Sequence, residues 1–194
     1  ITPDSIKTGM IANADMMKLI KRYLPKDVPY VVDPVMVATS GDKLIDDVAR
    51  KHLKEEILPL ATIITPNVPE AEEIVNFKIL TEDDVNRAGK FIIDEVGCKS
   101  VVIKGGHLTG EAKDYLFLND GTKKVWTSER FKTNHTHGTG CTFSAVITAE
   151  LAKGKSIIEA VDIGKKFITA AIKYTPELGH GNGPVNHIAF KGDL

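Results

Sequence analysis

The sequence predicts an α/β protein with a mostly parallel central sheet. Short runs that are apolar throughout, as strands buried on both faces are, alternate with longer segments whose apolar residues recur at helical spacing. This alternation is typical of a parallel sheet in which helices connect the strands. The 194 residues suffice for one domain with a full core, and we find no repeat, linker or low-complexity tract that would divide it.

The apolar runs locate the strands. Three buried strands are predicted at 30–32, 61–64 and 101–103. A hairpin is predicted from the runs 115–118 and 124–126, because Asn119-Asp120-Gly121 between them is a turn signal. Asp114 and Trp126 are interpreted as ordinary residues of that hairpin.

Capping residues and periodicity locate the helices. Asn13 is expected to cap a helix over 15–24 that Pro25 ends, and further helices are expected over 46–58 and 70–76. Acidic residues after Thr81 begin another helix. Two helices close the chain, and the second carries its apolar residues on one face: Ile157, Val161, Gly164, Ile168 and Ile172.

The loop 137–142, His-Gly-Thr-Gly-Cys-Thr, leads into the first of these two helices. A glycine turn before a helix exposes backbone N–H groups, and the helix dipole adds partial positive charge, so the loop is predicted to bind an anion such as phosphate. A thiol at Cys141 would have a lowered pKa there and could act as a base, a nucleophile or a ligand.

Each of the three buried strands is followed by a polar residue: Asp33, Thr65 and Lys104. The carboxyl ends of parallel strands line one crevice, which the helix start at 138–141 could also face. Asp33 and Glu70 are oxygen ligands suited to Mg²⁺, and Lys104 is a point charge for a phosphate. Together they indicate phosphoryl transfer from a nucleotide to a small alcohol, with Cys141 taking the proton of that alcohol. The P-loop and protein-kinase signatures are absent from the sequence.

Each of these residues also has a purely structural interpretation. Asp33-Pro34 could end a strand in a turn, Asn67 and Glu70 could cap a helix, and Lys104 could be a solvated strand end. Cys141 could be a small buried residue at a tight helix start. His107, His135 and His137 match no zinc spacing and are interpreted as loop histidines. His180, His187 and the glycines of the segment 179–184 could be a floppy tail.

Charge and cysteine content narrow the class of partner. The formal net charge is −1, which gives no electrostatic reason to expect nucleic acid or a membrane surface as a partner. No apolar run approaches the length of a membrane span, and no signal-peptide pattern opens the sequence. Cys98 and Cys141 form no metal-type spacing, so a reducing cytoplasm is expected.

The motifs together resemble the ribokinase-like superfamily, and most closely its hydroxymethylpyrimidine/phosphomethylpyrimidine kinases of thiamine biosynthesis. The matching stretches are 6–10, 32–36 followed by Ser40-Gly41, 65–71 with its Asn-x-x-Glu motif, 102–107, 136–145 and 181–187. The stretch 136–145 is the most specific. Most of the superfamily carries aspartate at the position of Cys141, so the cysteine separates this chain from the sugar kinases.

The resemblance implies a three-layer α/β/α fold, a small-molecule substrate, ATP and Mg²⁺ as cofactors, and a homodimer. It assigns Cys141 as the base, the amides of Gly138, Thr139 and Gly140 as the anion hole, and Asp33 and Glu70 as residues that hold Mg²⁺ through water. Its expected nucleotide contacts are Lys104, Asn67, Thr65, Gly106 and His137.

Family members begin with a strand, a Gly/Ser-rich loop and a helix that bind the pyrimidine, whereas this sequence starts at Ile1 beyond them. Residues 1–194 are therefore interpreted as a single kinase domain that lacks this front segment. Three alternatives stay open: a pyridoxal kinase of the same branch, a cysteine hydrolase that pairs Cys141 with His137 or His135, and a nucleotide-binding remnant without turnover.

Overall fold

The computed structural model describes residues 2–37, 44–105, 112–176, 178 and 180–191. Six strands form one sheet whose spatial order follows the chain. The strands are β1 (Ile6–Thr8), β2 (Tyr30–Val32), β3 (Ile63–Ile64), β4 (Ser100–Lys104), β5 (Ala112–Leu118) and β6 (Lys123–Ser128). The pairs β1–β2, β2–β3 and β3–β4 are parallel, and β4–β5 and β5–β6 are antiparallel. The predicted mostly parallel sheet and its hairpin are therefore confirmed.

Helices cover both faces of the sheet. They are α1 (Ala14–Tyr23), α2 (Asp47–His52), α3 (Val68–Val75), α4 (Glu82–Phe91), α5 (Thr139–Ala152) and α6 (Ile157–Lys173). Asn13 caps α1, and Thr81 and Ser156 form capping boxes at α4 and α6. Side-chain oxygens at these first turns accept hydrogen bonds from N–H groups that have no partner in the helix, which is why the chain turns helical there.

Successive side chains of each buried strand pack into two different cores, one on either face of the sheet. Val32, Ile64 and Ile103 pack against the side formed by α1 to α4. Val31, Ile63 and Val102, one residue away, pack against α5 and α6. Because successive side chains of a strand point to opposite faces, a strand that is apolar throughout must be covered on both sides. The three-layer arrangement follows from this pattern.

Two predicted boundaries differ from the structure. The helix expected over 46–58 is regular only to His52 and continues as a π-helical turn, Leu53–Ile57, and a 3₁₀ turn, Leu58–Leu60. Pro59 explains the ending, because its ring clashes with the carbonyl four residues earlier and it has no N–H to donate. The strand expected from residue 61 is shortened for the same reason, since the N–H of Ala61 donates to the carbonyl of Leu58 in that turn (3.1 Å).

The parallel strands bring their carboxyl ends to one edge of the sheet. The ladder continues one residue past β2 and β3, since Asp33 N–H donates to Thr8 O (2.9 Å) and Thr65 N–H donates to Val32 O (3.0 Å). This extension places the Asp33 and Thr65 side chains at fixed positions on that edge. None of the described helices combines the length and apolar character that a membrane span needs.

Candidate active site at the carboxyl edge of the sheet

Asp33 lies at the centre of the site. Its side chain is almost fully buried, at 1% exposure of the residue. Asp33 Oδ1 accepts hydrogen bonds from Thr65 Oγ1 (3.1 Å) and Lys104 Nζ (3.2 Å). Asp33 Oδ2 accepts from Ser144 Oγ on α5 (3.3 Å). The three strand ends predicted to converge do so, and a buried carboxylate with these partners is more than the end of a turn.

Lys104 is held inside the site. Its side chain is only 18% exposed and forms an ion pair with Asp33. The interpretation of Lys104 as a solvated strand end is therefore wrong. The cause is the position of β4 in the middle of the sheet, where β3 and β5 lie on either side and α5 lies above.

Asn67 and Glu70 form a capping box at the start of α3. Asn67 Oδ1 accepts from the Glu70 N–H, and Glu70 Oε2 accepts from the Asn67 N–H, both at 2.8 Å. Glu70 is 6% exposed. Burial raises the pKa of its carboxyl, while the Lys104 ammonium and the Asn67 N–H act to lower it and the Asp33 charge adds to the rise. The capping role is confirmed, and the predicted Mg²⁺ role stays a prediction.

The start of α5 approaches the Asp33–Lys104 pair closely. Gly138 has a φ of +84°, a left-handed conformation that glycine adopts without strain. A Cβ on Gly140 would lie 3.1 Å from Lys104 Nζ and 3.7 Å from Asp33 Oδ2. Because Gly140 has no side chain, the N-terminus of α5 can lie in close contact with the Asp33–Lys104 pair.

The backbone donors of this terminus are only partly engaged. The Thr139 N–H donates to Thr136 O at 3.2 Å, so one of the predicted anion-hole amides already has an acceptor. Within the described ranges, no acceptor is found for the N–H groups of Gly140 and Cys141. These two amides point along the first turn of α5, where the helix dipole is positive.

Cys141 is exposed, whereas Cys98 is buried, and both thiols are free. The interpretation of Cys141 as a small buried residue is wrong, because the third residue of α5 faces away from the sheet. Cys141 lines a groove of about 430 Å³. The groove is also lined by Thr142, Ala145, Val146, Ala149, Phe167 and His187. Burial raises the pKa of Cys98 to about 12, which disfavours a reactive thiolate at Cys98.

The segment Gly183–His187 is joined to the loop before α5. The His137 N–H donates to Gly183 O (3.1 Å), and the Val185 N–H donates to His137 O (3.3 Å). His187 Nε2 lies 3.0 Å from Thr142 Oγ1. The interpretation of this stretch as a floppy tail is wrong for Gly183 to His187, because Val185 is also buried in the core beneath α5 and α6.

Some of the residues predicted from the sequence cannot be compared with the structure. Gly106, His107, Ser40, Gly41 and Gly179 fall outside the described residues. In the ranges that the structure describes, there is no cluster of three or more His, Cys, Asp or Glu that could hold a metal ion, and Cys141 has no hydrogen bond to a histidine. Sequence reasoning gave no role to Ser144, although its spacing of four residues from Gly140 puts both on the inner face of α5.

Comparison with known proteins agrees with this geometry. The family model for phosphomethylpyrimidine kinase matches residues 1–186. The chain belongs to this family. The hydroxymethylpyrimidine/phosphomethylpyrimidine kinase of Staphylococcus aureus strain MSSA476 is 57% identical over 192 residues, covering 97% of this chain and 69% of the relative. Family membership makes the protein a kinase, a phosphotransferase with the ribokinase-like fold.

Solved structures share the fold. The phosphomethylpyrimidine kinase of Clostridium difficile superposes with a TM-score of 0.75 at 43% identity, over 89% of this chain and 70% of that one. The pyridoxal kinase of Staphylococcus aureus in complex with ADP superposes with a TM-score of 0.88 at 35% identity, over 98% of this chain and 70% of that one. The structural neighbours of this chain therefore include a phosphomethylpyrimidine kinase and a pyridoxal kinase, the latter in complex with ADP.

Proposed function

We propose that the protein transfers the γ-phosphoryl group of ATP to the hydroxymethyl group of 4-amino-5-hydroxymethyl-2-methylpyrimidine, and then phosphorylates the resulting monophosphate, in thiamine biosynthesis. The carrying observation is the meeting of the Asp33–Lys104 pair with the N-terminus of α5, beside the exposed Cys141. This is an anion site with a proton acceptor next to it, which phosphoryl transfer to an alcohol requires.

Each group has a task in that reaction. The amides at the start of α5 and the Lys104 ammonium stabilise the negative charge on the transferring phosphoryl group. As the acceptor hydroxyl oxygen bonds to the γ-phosphorus, the bond from that phosphorus to the bridging oxygen breaks and ADP leaves with the bond electrons. The Cys141 thiolate takes the proton of the hydroxyl. Thr65, Asn67 and His137 are the further proposed nucleotide contacts, together with Gly106.

The residues present fit Mg²⁺. Asp33 and Glu70 are carboxylates at the same edge of the sheet, and the pKa of Glu70 is raised by its burial and, to a smaller extent, by the Asp33 charge. Mg²⁺ keeps several waters and binds through one or two carboxylates plus substrate phosphates. Asp33 and Glu70 would hold the ion through water, and it would supply charge neutralisation of the nucleotide phosphates.

The test is ADP release by the purified protein with Mg-ATP and hydroxymethylpyrimidine, with pyridoxal or with no acceptor. Turnover that depends on the pyrimidine supports the proposal. Turnover on pyridoxal alone would replace it with the second candidate, a pyridoxal kinase, which the ADP-bound neighbour favours. No turnover despite ATP binding would indicate a binding protein.

The two cysteines give a matched pair of variants. We expect Cys141→Ala to lower kcat by about 10²- to 10⁴-fold, the usual contribution of a general base, with ATP binding nearly intact. Cys98→Ala alters a buried thiol distant from the proposed chemistry and should keep kcat. Equal turnover of Cys141→Ala and the wild-type protein would remove the role of Cys141.

A further inference from the structure

A second charge pair lies behind Lys104. Asp114 on β5 faces Lys104 directly across the β4–β5 register. Its Oδ2 pairs with Lys165 Nζ of α6 at 2.6 Å, and both side chains are only 12% exposed. Its Oδ1 accepts from the Gly105 N–H at 3.1 Å. Asp114 therefore connects α6 to the last residues of β4.

The register places Asp114 and Lys104 on the same face of the sheet, because directly opposed residues of an antiparallel pair share a face. Lys104 nevertheless pairs with Asp33, on the opposite side from Asp114. The register thus puts the Asp114 carboxylate next to the strand end that carries Lys104, and an unneutralised Asp114 would draw that ammonium toward β5. The Lys165 ammonium removes this competition by occupying Asp114.

The backbones are also in close contact at this point. A Cβ on Gly105 would collide with the carbonyl oxygen of Lys113, the neighbour of Asp114. Because the two backbones are in contact there, a displacement of the Asp114 side chain would be transmitted to the end of β4 through its hydrogen bond with the Gly105 N–H. Lys124 of β6 and Asp162 of α6 provide a comparison, since they also join the sheet to α6 but are about one third exposed.

We propose that Asp114 and Lys165 form a positioning pair, which fixes the end of β4 and keeps the Lys104 ammonium directed at Asp33 and the proposed phosphate site. Neither residue touches the reacting atoms. This assignment rests on the proposed function for its kinetic consequence, although the direction of Lys104 can be measured without any nucleotide.

The kinetic test compares Lys165→Met, Lys165→Arg and the double variant Asp114→Asn/Lys165→Met. Lys165→Met leaves Asp114 without its cation, so the KM for ATP should rise by about tenfold, equal to about 1.4 kcal/mol of binding. The KM for the acceptor should stay unchanged. Lys165→Arg should behave as wild type. The double variant removes the competing carboxylate but keeps an oxygen for the Gly105 N–H, so its KM for ATP should return to within about threefold of wild type.

The control is Asp162→Asn, which disrupts the exposed pair and should leave both KM values unchanged. An unchanged KM for ATP in Lys165→Met, or a double variant as impaired as Lys165→Met, would overturn the proposal. If Lys165→Met does not fold, the double variant decides alone, and a KM for ATP raised about tenfold in it contradicts the proposal.

NMR of the Lys104 side chain without nucleotide separates this proposal from the proposed function. The ammonium signal of Lys104 should shift in Lys165→Met and return in the double variant. A signal that does not move in Lys165→Met overturns the positioning role even in an active enzyme. A signal that moves as expected in a protein without kinase turnover leaves the pair intact and defeats only the proposed function.

Discussion

At the scale of single residues, the site depends on how buried charges are compensated. Asp33 is 1% exposed, and its carboxylate oxygens accept hydrogen bonds from a cation and two hydroxyls. Glu70 has weaker compensation. Burial raises the pKa of Glu70, so the folded protein favours its neutral form relative to the unfolded chain.

The direction of that shift predicts the effect of Glu70→Gln on stability. A raised folded-state pKa means that the contribution of Glu70 is present below the unfolded-state pKa and is lost as pH rises through the folded-state value. Glutamine is neutral at every pH and can still accept from the Asn67 N–H in a capping box. We therefore expect Glu70→Gln to unfold at neutral pH no more readily than wild type, while the Mg²⁺ concentration for half-maximal activity increases.

Glu159 is the matched control, since it occupies the equivalent position in the capping box of α6. Hydrogen bonds from Ser156 lower the pKa of Glu159, so its contribution is present above the ordinary pKa and is lost as pH falls. Glu159→Gln should lower the thermal midpoint at neutral pH and keep the Mg²⁺ requirement. A greater loss of stability in Glu70→Gln than in Glu159→Gln would contradict this account.

At the scale of elements, the proposed anion site depends on the start of α5. Gly138 and Gly154 lie at the two ends of this helix, with φ of +84° and +80°, and a Cβ on either would meet no atom within 4 Å. They differ only in location. Gly138 is the N-cap, two residues before the Gly140 that approaches Lys104 and Asp33, whereas Gly154 follows the last turn of the helix.

Alanine at each position separates backbone strain from function. Gly138→Ala and Gly154→Ala should each cost about 1–2 kcal/mol in the free energy of unfolding, because a left-handed conformation is unfavourable for a residue with a Cβ. Gly138→Ala should also lower kcat by up to about 10²-fold, because relief of the strained turn would move the backbone N–H groups at the start of α5 away from the developing charge. Denaturant unfolding and steady-state kinetics measure the two effects. Equal kcat losses in the two variants would show that strain alone is responsible.

At the scale of the whole molecule, the segment Gly183–His187 is hydrogen-bonded to the loop before α5. Val185 is 2% exposed and packs into the core under α5 and α6, while its N–H donates to His137 O. Ile188, three residues later, is 87% exposed. The core on that face of the sheet and the loop before α5 are therefore stabilised by the same short segment.

Substitutions at these two positions test that connection. Val185→Ala removes two buried methyl groups, about 1.6 kcal/mol at about 0.8 kcal/mol per group. The thermal midpoint should fall by about 3–6 °C for a chain of this size. Turnover should fall as well, because the His137 loop loses its support. Ile188→Ala should change neither value. A Val185→Ala variant with a lowered midpoint and full turnover would show that the segment supports the core only.

The sequence alone determined most of the elements of this protein and the class of its chemistry. Apolar runs marked strands buried on both faces, and the glycine turn before α5 indicated an anion site. Both are local signals, since they depend on residue spacing and on the conformations that glycine permits. The polar residues at the strand ends were predicted to converge, because the parallel sheet that the pattern indicated requires it.

Only the tertiary structure decided which partner each charge takes. Lys104 pairs with Asp33, while Asp114, interpreted from sequence as a hairpin residue, pairs with Lys165 from 51 positions away. Ser144 reaches Asp33 across 111 positions. No spacing rule links such residues, because these partnerships depend on where the packing of α5 and α6 on the sheet puts each side chain, and on the need of every buried charge for a counter-charge.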